Sequence, residues 1–488
     1  MQKLTPLDAW VLSTYQRLES LDVPVFDLTT TRDIRPLPRT VSSGTLYSLP
    51  TALPRQLKTL GAYLQDEQGS LDEALSAVQK LSLLFRYLAS PLRFEPYNES
   101  PVHKAVPSAR CMYPLQFVLL FKQAERIQAY SYQPDFHALQ PMALPASPDL
   151  ASAPDGASLL CVAQIWKTAE KYGEFAHFPV VLEAGHAYSQ SLHLRGLLGW
   201  DTSRSPIAAE SMHCLAKGQW EMVLFSLSLD ELQEQHLQAL PCATAQLARV
   251  GENPGLSERF ARLPAFNTLF KQGRRLTTEQ PGGRIQSPAG KPTDKDFLQL
   301  CRARHSGNDR SGLAPVLARV PARTLTTVQT TFDALRHRRG IGEEETHLKV
   351  SFAWLAGGDV KVGLYDLQGR WLTPQMDEAE FIRHVRRILP YKLMRFNTSA
   401  MSLIVFFSTD PVQALERFGE AAFRNMHMAA GAAAQDMSLT AAAMGMFSRP
   451  VRMMREERIE QALPVGGQVL YQVLCGFNRR SNLTFEVL

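Results

Sequence analysis

The 488-residue chain has only six cysteines, and none forms a CxxC pair with another. Thiols scattered in this way exclude a disulfide scaffold and a zinc framework, and they suit a reducing compartment. No apolar run reaches the roughly eighteen residues of a membrane span. The N-terminus, MQKLTPLDAWVLSTYQRLES, lacks the apolar core of a secretory signal. The expected location is therefore the cytoplasm. Net charge is only +5, and no basic stripe carries interleaved aromatics, which argues against nucleic acid as the partner. The glycine fingerprint of a Rossmann dinucleotide site is missing as well.

What is present is the composition of a soluble globular protein, 45% apolar and 20% charged. The length calls for two domains of roughly 200 residues each. Residues 1–100 are predicted to be mainly helical; LDEALSAVQKLSLLFRYL (71–88) spaces its apolar residues by three and four. QFVLLF (116–121) reads as a buried strand, IQAYSYQP (127–134) as an edge strand and PMALPASPDLASAPDGAS (141–158) as a long loop. LLCVAQIW (159–166) is a second strand, a helix runs from about Leu182 to Leu198, and WEMVLFSLSL (220–229) is a closing strand. The glycine- and proline-dense segment 277–294 is a linker. The same order then returns: strand 346–355, edge hairpin 362–372, strand 401–409, helix 424–444 and closing strand 469–477.

The order repeats because the letters do. Lys171-Tyr172-Gly173-Glu174 precedes Gly185 by the interval that separates Arg417-Phe418-Gly419-Glu420 from Gly431, and each copy runs on towards Gly199 or Gly445. Tyr132 and Leu139 are spaced as Tyr365 and Leu372 are. A repeat of this length predicts duplicated domains. The expected fold is α+β: an N-terminal extension (1–70), a first domain (71–276), the linker (277–294) and a second domain (295–488). Both domains should have mostly antiparallel sheets and long buried helices. AAGAAAQDMSLTAAAMGM (429–446) is apolar all round, so it should be covered on every side and form the seam between the copies.

Two segments, VPSARCMYPLQF (106–117) and KYGEFAHFPVVLEAGH (171–186), resemble the PSAGARYPL and KYGERGYR–EAGH boxes of SagB/McbC-type azoline dehydrogenases, which are nitroreductase-like flavoenzymes. The second copy resembles the wider nitroreductase superfamily in three features: an RxS tripeptide at Arg304-His305-Ser306, the alanine-rich helix, and a closing strand followed by Arg479-Arg480. The resemblance spans about residues 75–488. It implies a dimer-like fold with FMN at the interface. One half would hold the phosphate through Arg304, Ser306, Arg479 and Arg480; the other would set Pro107, Ser108 and Ala109 beside the ring. Guanidinium and hydroxyl groups are suitable phosphate donors.

Each set occurs in one copy alone. In the first copy the stretch corresponding to RxS is the acidic LQDEQGSLDEAL (64–75), and the closing strand runs into LSLDELQEQ with no arginine. In the second copy Lys171-Tyr172 becomes Arg417-Phe418, neither of which titrates near neutrality. One complete site across an intramolecular pseudo-dimer is the expectation.

The activity implied by the resemblance is oxidation of thiazoline or oxazoline rings in a ribosomally synthesised peptide to azoles, beside a cyclodehydratase. Lys171 and Tyr172 would be the catalytic pair: either Tyr172 is the base, its pKa lowered by Lys171, or Lys171 is, its own pKa lowered by burial. There are departures from the pattern. Arg110 stands at a glycine position, Met112 at an arginine, and Asn308 where a further phosphate-binding cation is usual. Glu183 and His186 read as polar groups packed at the domain interface, and Cys111 and Cys475 as buried thiols. Two other readings stay open: an NAD(P)H-dependent flavin oxidoreductase acting on a small molecule, and a non-catalytic scaffold. Homo-oligomerisation of the chain also stays open.

Overall fold

The computed structural model describes residues 39–65, 75–95, 100–142, 155–200, 221–250, 294–307, 323–388 and 398–478, together with Leu7, Trp10, Leu313 and residues 315–316, 320–321 and 485–486. Two antiparallel sheets each pack on one of two long helices. The first sheet orders its strands Glu221–Ser228, Gly156–Gln164, Leu115–Gln123, Arg126–Gln133, Ala138–Met142, Arg39–Ser48 and Cys242–Val250. The second runs Pro315–Val316, Gln468–Asn478, Leu403–Thr409, Lys349–Trp354 and Gly363–Asp366, and Phe447–Val451 also pairs with Gln468–Asn478. Among the described residues no helix is long and apolar enough to cross a membrane.

The repeated letters become repeated geometry. Helix Ile165–Tyr172 ends on Gly173 at φ 53, ψ −133, and helix Pro411–Phe418 ends on Gly419 at φ 56, ψ −137. Both glycines occupy a region that side chains resist. A β-bulge interrupts the pairing to the closing strand between Cys161 and Val162, and again between Phe407 and Ser408. The register aligns Tyr365 with Tyr130 rather than with Tyr132. Tyr130 pairs with Leu119 and Tyr365 with Phe352, and Leu119 and Phe352 each sit two residues along from the partner of Cys161 or Phe407. Equal spacing in the sequence had suggested Tyr132; the alternation of a strand absorbed the two-residue difference without changing faces.

The core helices, His177–Leu197 and Ala422–Ala443, lie side by side and parallel. His177 stacks on Phe423, Gly185 abuts Gly431, and Ser189 bonds Asp436. In the second helix every described residue except Met428 is buried, as its all-round apolarity requires.

Several expectations are corrected. The described part of 1–100 is not mainly helical: Arg39–Ser48 is a ten-residue strand, and the helices are Leu60–Gln65 and Ala77–Leu88, besides Leu7 and Trp10. The strand's sequence, RTVSSGTLYS, has no apolar alternation; its pairing with Cys242–Val250 and, at Tyr47 and Ser48, with Ala138–Met142 defines it. Arg126–Gln133 is an interior strand, not an edge, because the segment that follows it, Ala138–Met142, pairs with its free side. The ends of the expected 141–158 loop belong to strands, and 143–154 lies outside the described residues. The first core helix begins at His177, five residues earlier than expected.

Candidate functional site

Arg304 is placed by the helix Phe297–Ala303. Asp296 caps the helix, accepting from the backbone N–H groups of Leu298 and Gln299, and Phe297, Leu298, Leu300 and Cys301 anchor it in the core. The chain leaves the helix at Arg304, whose carbonyl accepts from Arg93 Nη1 at 2.5 Å. Arg304 is 2% exposed, and its Nη2 donates to the Lys104 carbonyl at 3.1 Å. Its Nε and Nη1 are buried with no hydrogen-bond partner among the described residues. Burial, with Arg93 adjacent, pulls the guanidinium down to about 10, so it remains a cation at neutral pH. The small sheet beside it joins Arg93–Phe94 to Val102–His103 and to Phe485–Glu486, so the chain's last strand returns to Arg93.

The first half supplies the 107–113 loop. The Ser108 hydroxyl accepts from the Tyr113 N–H at 2.9 Å and lies beside the Glu183 carboxyl. Three residues here take positive φ without being glycine: Arg110 (55°), Cys111 (53°) and Tyr113 (47°). Arg110 holds the left-handed conformation that glycine would hold in the resembling box. Such local strain persists only where the surroundings over-determine the backbone. Lys104 Nζ sits 4.4 Å from the centre of the Tyr113 ring.

Glu183, on the first core helix, is the group the sequence reading undervalued. It is 4% exposed, and its Oε2 has no partner among the described residues. Burial pushes its carboxyl up to about 8 against the opposing pull of Ser108, Lys104 and Lys167. Burial likewise brings Lys104 down to about 8 and lowers Lys167. One turn along, His186 makes 3.0 Å and 3.3 Å contacts to Gln435 Oε1 and the Tyr471 hydroxyl. The Gln435 amide donates to Gln190 Oε1 at 2.8 Å, which leaves its oxygen as an acceptor. His186 Nδ1 therefore carries the proton and Nε2 accepts from Tyr471, with the ring kept neutral by burial, which lowers it to about 3. Arg304 acts electrostatically on His186, Tyr471 and Cys111, while Glu183 acts on Cys111 and Tyr471.

Ser108 of the first half and Arg304 of the second thus share one cluster, joined through Lys104 and Tyr113, while Ser306 is half-buried two residues beyond Arg304. Pro107 and Ala109 flank Ser108 in the same loop. Lys171 and Tyr172 end the helix Ile165–Tyr172, one turn beyond Lys167, with Tyr172 packed against both cores. Lys167, which the motif boxes do not single out, is the helix lysine that acts on Glu183. Cys111 is partly buried in the loop rather than a core thiol, whereas Cys475 is buried. Arg479, Arg480 and Asn308 lie outside the described residues. A guanidinium with two uncommitted buried donors, beside Arg93 and Lys104, fits the phosphate of FMN.

The fold is nitroreductase-like. Residues 350–477, from the strand Lys349–Trp354 to the closing strand of the second half, match the nitroreductase family model, whose members are oxidoreductases that typically use a flavin. No curated protein matches the chain. Among solved structures it is similar to a candidate nitroreductase from Anabaena variabilis ATCC 29413, with a TM-score of 0.63 and 16% identity, over 97% of this chain and 99% of that one. A candidate nitroreductase from Ralstonia eutropha JMP134 is 15% identical, covering 40% of this chain and 94% of that one at a TM-score of 0.28.

Proposed function

We propose that the chain is an FMN-dependent dehydrogenase whose two halves act as an intramolecular dimer around a single site, oxidising thiazoline or oxazoline rings of a ribosomally made peptide. The observation that carries the flavin reading is Arg304: a buried cation from the second half with two unpartnered donors, in one cluster with Ser108 of the first. A desolvated guanidinium is costly unless an anion pairs with it. Arg304, with Ser306 and the Arg479-Arg480 pair, would hold the phosphate, and the strained 107–113 loop would lie beside the ring. FMN, when bound, supplies the two-electron acceptor. Tyr172 or Lys171 would take the substrate proton, and the mostly buried cluster of Glu183, His186 and Tyr471 would keep water from the reacting face. The azoline part of the reading is supported by the KYGE, EAGH and PSA boxes.

The test is colour. Wild type supplied with FMN should retain it through gel filtration, and Arg304→Ala should lose it. An azoline-containing peptide added anaerobically should bleach the flavin without NADH. Bleaching by NADH but not by the peptide would favour a small-molecule reductase, and a wild type that takes up no FMN would overturn the proposal.

A further inference from the structure

A second buried guanidinium, Arg452, also has donors without a hydrogen-bond partner among the described residues. Arg452 follows the strand Phe447–Val451, whose last residue pairs with Gln472, next to Tyr471. Arg452 and Arg304 both act on the Tyr471 hydroxyl, so the two cations stand within electrostatic reach of one side chain. Arg452 is 6% exposed. Its Nη1 donates to Glu456, and its guanidinium carbon lies 5.1 Å from the centre of the Phe178 ring. One corner and one face of the group are thereby fixed.

The remaining edge is what matters. Nε and Nη2 of Arg452 are both buried and have no hydrogen-bond partner among the described residues. These two atoms point the same way from the guanidinium and form its side-on fork, the geometry that receives both oxygens of a carboxylate. Glu456 and Phe178 hold the fork in place, so little side-chain entropy would be lost when a ligand meets it. The side chains around Phe178 are aromatic: it packs 5.0 Å from Phe423 and 5.3 Å from His427. His177, stacked on Phe423, has both ring nitrogens unpartnered among the described residues.

We infer that Arg452 is the carboxylate-binding residue of this site, and that the substrate presents a carboxylate to its Nε–Nη2 edge. The inference rests on the flavin reading above and adds the substrate class to it. Arg304 meets the cofactor's phosphate while Arg452 meets the substrate. Counting back by the interval that separates Gly199 from Gly445, the corresponding residue of the first half is Pro206, which cannot do the same.

The experiment is a calorimetric titration of the FMN-loaded protein with benzoate and with uncharged benzamide. Wild type should bind benzoate about tenfold or more tightly than benzamide, the size expected for a charge-assisted bidentate contact. Arg452→Gln should abolish that preference and stay yellow, and Arg452→Lys, a point charge without a fork, should restore only part of it. Equal binding of the two ligands by wild type, no benzoate binding at all, or a preference that survives in Arg452→Gln would overturn the inference. So would loss of FMN from Arg452→Gln, which would give the fork to a flavin oxygen. If Arg452→Gln does not fold, the wild-type comparison decides alone. Failure of the flavin reading is separately visible, because a wild type that stays colourless can still be titrated.

Discussion

Gly185 and Gly431 meet where the two core helices touch. A methyl group on Gly185 would stand 2.1 Å from the Met428 carbonyl oxygen and 2.9 Å from the Gly431 Cα. Neither neighbour is a side-chain end that can swing away. The helices approach this closely because both positions lack a Cβ, and the polar contacts of the seam are set by that approach.

Gly185→Ala should therefore destabilise the protein by about 3 kcal/mol or more, by forcing two buried backbones apart. Gly196, on the same helix, would place its Cβ at 3.4 Å from the Tyr63 hydroxyl. Gly196→Ala should stay within about 1 kcal/mol of wild type. Urea titrations of the two variants measure the difference; equal losses would show that the helices are not locked at this crossing.

Asp436, fully buried, receives Ser189 at 2.6 Å, His193 at 2.8 Å and Arg339 at 2.7 Å, and Arg339 also reaches Glu345 at 2.6 Å. Asp436→Asn should cost about 3–5 kcal/mol, because Arg339 would keep a buried charge only partly compensated. Adding Arg339→Leu should cost less than the two single losses added together. A double variant as unstable as the sum of the singles would mean that the two side chains do not act together.

Glu183 makes stability depend on pH in a defined direction. Its carboxyl rises from 4.5 to about 8 on folding, chiefly through burial. Between those values the folded protein keeps a proton that the unfolded chain has released, so this contribution is fully present below about 4.5 and is lost as pH rises through about 8. Glu183→Gln should flatten the decline in unfolding free energy across that window, read from urea midpoints at several pH values. A variant with the wild-type slope would show that Glu183 is not the group responsible.

Tyr172→Phe should leave FMN content unchanged and slow turnover of an azoline peptide by about a hundredfold, the usual scale for loss of a positioned base. Flavin absorbance per protein and the rate of azole formation are read on the same sample. Loss of FMN, or full activity, would remove Tyr172 from the catalytic pair.

Much of this was legible in the letters. The paired glycines, the alanine-rich helix and the recurrence of strand and helix are local patterns, and local patterns survive in one dimension. The internal likeness and the division of Ser108 from Arg304 between halves could be read for the same reason. Arg39–Ser48 could not be read, because its partners lie about ninety and about two hundred residues away. The edge assignment of Arg126–Gln133 failed for a nearer reason: Ala138–Met142, whose end read as loop, pairs with it as a strand.

The sequence by itself determined which residue types each half carries, Ser108 in the first and Arg304 in the second. Only the tertiary structure decided the state of those groups. It buried Glu183 beside Ser108 and two lysines, left donors of Arg304 and Arg452 without partners among the described residues, and forced Arg110 into a left-handed turn. Charge and chain order are written in the letters. Desolvation and the count of satisfied hydrogen bonds are properties of an enclosed volume, which exists only after the chain has folded around it.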